Sequence, residues 1–172
     1  MMLNRQEIER LIREKELIKD YLNIDTQLTP NGFDLTVGSV FEFSNCGALD
    51  FSNKERVVPQ MKEVPAEKKN PQDKFGWWNI KKGAYKIRTN ESVSLPRDLT
   101  AVSFPRSSLL RMGAFTQTGV WDAGFKGKSE FILVVENPEG LMLKENARLI
   151  QLVFIRINAT EQSYQGIYQN TP

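Results

Sequence analysis

The sequence predicts a single, mainly β domain with a short helix at its N-terminus. Three observations carry this expectation. The chain has 172 residues, 40% of them hydrophobic, enough for one real core and too few for two comfortable ones. Apolar residues recur in short alternating runs broken by turn residues, which is the spacing of half-buried strands. Only the first segment shows sustained helical spacing.

That segment, "NRQEIERLIREKEL", reads as a helix over about 4–17. Asn4 is placed as its N-cap, Glu7 completes a capping box, and Ile8, Leu11 and Ile12 form a stripe that should dock on the core. Strands are expected in "GFDLTVGSVFEF", "GAYKIRTNESVSL", "LTAVSF", "SEFILVVEN" and "LIQLVFIRI". The polar, proline-bearing interval 59–76 reads as a long loop leaving the sheet, and about 160–172 as a C-terminal tail. Of the neighbours Trp77 and Trp78, strand alternation sends one to the core.

Composition removes whole classes of chemistry. The 23 basic and 21 acidic residues leave a net charge of +2, so neither nucleic acid nor a membrane is expected as the partner. Apolar runs such as "FILVV" are too short to span a bilayer. The lone Cys46 and the absence of a signal-peptide pattern suit a soluble protein of the reducing cytoplasm. With no histidine there is no Ser-His-Asp or Cys-His nucleophile, and with one cysteine no thiolate zinc site. Carboxylates, hydroxyls, arginines and backbone amides remain. These suit phosphate esters activated by Mg2+, a hard ion that binds through oxygen.

Two stretches carry that chemistry. "FPRSSLLRMG" brings Arg106, Ser107, Ser108 and Arg111 within a few residues, offering hydroxyls and guanidinium forks to a polyphosphate; strand-end polarity explains many such clusters equally well. "TGVWDAGFKG" sets Asp122 among glycines and large apolar residues, where it is either a catalytic base or the polar corner of a turn. The overlapping "GFKGKS" imitates the end of a P-loop, but Asp122 stands where that pattern needs glycine, and a strand rather than a helix is expected to follow.

The ordered set "NGFDLTVG", "PRSSLLRMG", "GVWDAGFKG" and "ARLIQLVF" resembles the dUTPase and dCTP deaminase superfamily over nearly the whole chain. "LNRQEIERLI" and "IRTNESVSLPRDLTAV" look most like the deaminase branch, as in the archaeal type of dUTPase. The resemblance implies a distorted β-barrel or jelly-roll-like fold, a homotrimer with active sites shared between subunits, and Mg2+ carried by the substrate triphosphate. It implies that Asp122 orients a water toward the α-phosphorus, and histidine's absence leaves a carboxylate as the conventional base. Arg106 and Ser107 match the family's phosphate-binding pair, with Ser108 beside them. Gln151 matches a glutamine that reaches the phosphates, and Arg111 an arginine of the deaminase-like branch. The hairpin Thr118, Gly119 and Val120 would read the uracil edge through its backbone, and Phe125 would pack on deoxyribose. Tyr164 and Gln165 match a tail that closes over the triphosphate, although Ser163 stands where a lysine is common.

Deaminases of this superfamily move protons with a glutamate, and an ungapped match from Asp122 puts that position at Ile132. Glu130 and Glu136 share its strand face, but two residues along a strand is about 6–7 Å. The expected activity is therefore a dUTP diphosphatase that releases dUMP and pyrophosphate. The alternatives are a dCTP deaminase, alone or bifunctional, and a catalytically silent nucleotide-binding regulatory trimer.

Overall fold

The computed structural model describes residues 1–171. In chain order the elements are α1 (Arg5–Lys15), β1 (Ile18–Lys19), α2 (Ile24–Gln27), β2 (Leu28–Thr29), β3 (Gly32–Phe43), β4 (Met61–Val64) and β5 (Trp77–Ile80). Then follow β6 (Gly83–Ser94), β7 (Leu99–Pro105), α3 (Ser107–Arg111), β8 (Ala114–Gln117), β9 (Lys126–Val135), β10 (Leu141–Lys144) and β11 (Arg148–Arg156).

The main sheet runs β7-β11-β3-β6-β9-β8, antiparallel throughout. Its two edges meet where Ala101 of β7 and Trp121, just past β8, exchange both backbone hydrogen bonds at 3.0 and 2.9 Å. That bridge curls the sheet into a nearly closed barrel, leaving little free strand edge. Alternation drives the curl: β9 buries every second residue, including Phe131, Leu133 and Val135, while positions 130, 132 and 134 face outward and remain partly accessible. Phe33, Leu35, Ile87, Ile150 and Phe154 complete the centre of the core. Each fully buried side chain of this size contributes about 1.5–3 kcal/mol.

Helix α1 forms as its sequence directs. Asn4 accepts from the Glu7 amide while the Glu7 carboxylate accepts from the Asn4 amide, both at 3.0 Å, and Ile8, Leu11 and Ile12 are buried. It ends at Lys15, two residues short of the expected boundary, because Glu16 turns left-handed (φ 52°, ψ 40°) and sends Leu17 and Ile18 into the core. Interval 59–76 is only partly a loop. Residues 61–64 form β4 on the edge of β3, and Glu67 pairs with Trp77. Its sequence, Met-Lys-Glu-Val, lacks the alternation of a half-buried strand, and neither of its faces is buried. Trp78 is the buried member of its pair and donates its indole N–H to Val64 O at 2.8 Å. Strand β9 begins at Lys126, inside "GFKGKS", which leaves no helix for a P-loop. Among the described residues no helix is long and apolar enough to cross a membrane.

Candidate active site

The site residues expected from sequence fall into two groups. The first surrounds a cavity of about 380 Å³ whose wall includes Gly119, Val120, Phe125, Ile132 and Tyr164. A Cβ built on Gly119 would meet nothing within 4 Å, so a ligand can approach its backbone closely. Thr118 anchors the hairpin to β7, its hydroxyl 3.1 Å from that of Ser103. Phe125 and Tyr164 meet edge to face, with ring centroids 5.7 Å apart.

Asp122 lies at the rim of this group and is exposed. Its carbonyl accepts from the Phe125 amide at 3.0 Å, and Gly124 has φ +84°, the left-handed value a type II turn requires at its third residue. The two readings of this aspartate are thus compatible: its backbone makes a turn corner while its carboxylate faces solvent. A Cβ at Gly124 would also stand 2.6 Å from Ser163 Cβ, so the turn and the tail pack closely. The tail is bound rather than free. The Tyr164 amide donates to Ala123 O at 2.9 Å, the Gln169 side chain accepts from the Lys126 amide and donates to Gly124 O, and Thr171 pairs with Gly127. Gln165 is exposed.

The two glutamates of β9 and its end are both engaged. Glu130 reaches the cavity wall, but one of its oxygens accepts from Lys86 Nζ at 2.8 Å and Arg88 Nε at 2.9 Å. Glu136 pairs with Lys82 at 2.8 Å. Ile132 faces the cavity between them in sequence and offers only hydrocarbon.

The second group centres on Asp34, which is 3% exposed. Its carboxylate receives Arg106 Nε at 3.0 Å and Arg148 Nη1 at 3.2 Å. Burial pushes the Asp34 pKa upward against the opposing pull of Arg106 and then of Arg148. Gln151 stands opposite both Asp34 and Phe104 in the sheet and donates to the Thr29 hydroxyl at 2.8 Å. Ser107, Ser108 and Arg111 lie on α3, immediately after Arg106, and are exposed. The role of Asp34 was not legible in the sequence, although an acid inside the apolar run of "GFDLTV" was the available signal. Removing its charge strands two guanidinium groups. Asp34→Asn is expected to lower folding stability by about 2–4 kcal/mol, read as a shifted urea midpoint at unchanged slope.

Within one chain Asp122 and Arg106 stand apart. Antiparallel pairing at Ala101 and Trp121 sets Asp122 beside Thr100, six residues from Arg106, or about 20 Å at the usual strand rise. The two residues thus stand at opposite ends of β7.

Residues 2–157 match the family model described as dCTP deaminase-like. The chain is 43% identical over 168 residues to a probable deoxyuridine 5'-triphosphate nucleotidohydrolase of Archaeoglobus fulgidus, covering 98% of this chain and 95% of the relative. It is 32% identical over 145 residues to the deoxyuridine 5'-triphosphate nucleotidohydrolase of Methanocaldococcus jannaschii, covering 84% and 88%. The 2'-deoxycytidine 5'-triphosphate deaminase of Agrobacterium tumefaciens shares the fold, with a TM-score of 0.63 at 21% identity over 91% of this chain and 48% of that one. Motif order, barrel topology and a family match across nine-tenths of the sequence agree, and the chain belongs to the dCTP deaminase-like family.

Proposed function

We propose that the chain is a dUTP diphosphatase: dUTP and water give dUMP and pyrophosphate. The observation that carries the choice over deamination is the cavity wall. Ile132 occupies the position of the expected proton shuttle, and the nearest carboxylate, Glu130, is matched by two cations. The names of the curated relatives support the same activity.

In this reading the hairpin at Gly119 and Val120 holds the uracil edge, and Phe125, backed by Tyr164, packs on the sugar. Asp122 accepts a proton from a water, whose oxygen bonds to the α-phosphorus as the bond to the bridging oxygen breaks. Arg106, Ser107, Ser108 and Gln151 hold the phosphates, and Arg111 adds charge beside them. Among the described residues no three acidic or cysteine side chains converge, so Mg2+ would be held by phosphate oxygens and water, where it would offset charge on the departing pyrophosphate. The tail forms part of the nucleoside wall through Tyr164, and the exposed Gln165 beside it would reach the phosphate chain.

The separation of Asp122 from Arg106 supports a site shared between copies. Phe104, Leu110, Met112, Phe115 and Val120 are exposed along the segment from β7 to the hairpin, the kind of apolar surface that self-association covers. A homotrimer in the cytoplasm is the assembly and place we infer; the exposed free thiol of Cys46 suits a reducing compartment.

The test offers dUTP and dCTP separately to purified protein with Mg2+ and follows pyrophosphate, ammonia and the nucleotide products. Pyrophosphate and dUMP from dUTP, with no ammonia from dCTP, is the expected result. Ammonia from dCTP would replace this reading with deamination, and turnover of neither nucleotide would favour a silent binding protein.

A further inference from the structure

Glu91 lies on β6 and is completely enclosed. Its carboxylate accepts from Gln27 Nε2 at 2.7 Å, the Thr36 amide at 2.9 Å and the Thr36 hydroxyl at 2.6 Å. That hydroxyl in turn accepts from Asn90 Nδ2 at 2.8 Å. Each neighbour can donate to it, burial pushes its pKa upward against the pull of those hydrogen bonds, and among the described residues no cation pairs with it. A lone buried carboxylate is unfavourable unless hydrogen bonds satisfy it, and a satisfied buried network rigidifies the segments it joins.

Two branches leave this group. In one, the same Gln27 nitrogen donates to Asp34 O at 2.9 Å, and the Asp34 carboxylate holds Arg106 and Arg148. Gln27 Oε1 accepts from the amides of Leu22 and Asn23, so both ends of its side chain are committed. In the other branch, the carbonyl of Glu91 accepts from the Thr89 hydroxyl at 2.8 Å, which accepts from the Ser129 amide at 3.1 Å. Ser129 Oγ then accepts from the Trp121 indole at 2.8 Å. Trp121 sits in the hairpin between Val120 and Asp122. Residues 89–91 fall where the register of β6 on β9 shifts, so the Glu91 side chain pins an irregular stretch that regular pairing does not. Six of the seven polar side chains buried among the described residues join this one network, which runs from Arg106 to the hairpin.

We propose that Glu91 is a positioning residue for both halves of the site, fixing Asp34 and Arg106 through Gln27, and the Trp121 hairpin through Thr89 and Ser129. This rests on the reading of Arg106 as a phosphate ligand and of the hairpin as the nucleoside ligand. The consequence is selective. Glu91→Gln faces a new donor toward donors and disturbs both halves, Gln27→Leu cuts the branch to Asp34, and Ser129→Ala cuts the branch to Trp121.

The experiment titrates the full-length protein and these three variants with pyrophosphate plus Mg2+, and separately with deoxyuridine. Glu91→Gln is expected to weaken both affinities about fivefold or more; Gln27→Leu weakens chiefly pyrophosphate, and Ser129→Ala chiefly deoxyuridine. If Glu91→Gln fails to fold, the opposite selectivities of the other two variants still test the two branches. Both affinities of Glu91→Gln within about twofold of wild type would overturn the proposal, as would equal losses for both compounds in all three variants that merely follow thermal stability. A wild type that binds both compounds but forms no dUMP overturns the hydrolase reading and leaves the positioning role standing; a wild type that binds neither overturns the positioning role.

Discussion

Asp122→Asn is expected to lower kcat for dUTP hydrolysis by about 10²–10⁴, the usual contribution of a positioned general base. KM should change little, because Asn keeps the shape of the side chain and one of its acceptor oxygens. Folding stability should stay within about 0.5 kcal/mol of wild type, since the residue is exposed and its structural hydrogen bond is made by its carbonyl. Steady-state kinetics beside urea unfolding separates the two effects. A variant that retains most of its kcat would remove Asp122 from the chemistry and return it to its role in the turn.

The second large effect concerns assembly. Asp122→Asn and Arg106→Ala should each be nearly inactive alone, yet a refolded equal mixture should recover roughly a quarter of wild-type activity. The reason is the distance of about 20 Å that β7 imposes between the two positions within one chain. If a site takes Asp122 from one copy and Arg106 from another, random mixing gives a complete pair in about one site of four. If both groups came from the same copy, every site would carry one lesion and mixing would restore nothing. Assay of the mixture before and after refolding, against each variant alone, decides between these arrangements.

Much of the fold was legible because strand and helix periods are local. The run "GFDLTVGSVFEF" coincides with β3, and the Asn4 and Glu7 spacing of the capping box appears as written. The identity of Asp122 also excludes the P-loop, since that pattern needs glycine at this position. Closure of the barrel was different, since the bridge between Ala101 and Trp121 is a tertiary event with no local signature. The same holds for Asp34 and Glu91. In sequence both read as polar members of alternating strands, and only the burial of the surrounding barrel turns one into an arginine clamp and the other into a hub. Motif order sets these residues in sequence, but a linear order carries no information on how far apart the fold holds them.

The barrel seam has a mechanical meaning. Where β6 and β9 are laced along most of their length, the join between β7 and the hairpin rests on a single reciprocal pair of backbone bonds, helped by the hydroxyls of Thr100 and Ser103. Openings of a folded protein start where the fewest bonds must break. The seam is therefore the part of the barrel where the fewest backbone bonds resist opening, while the core ladders are held along their length.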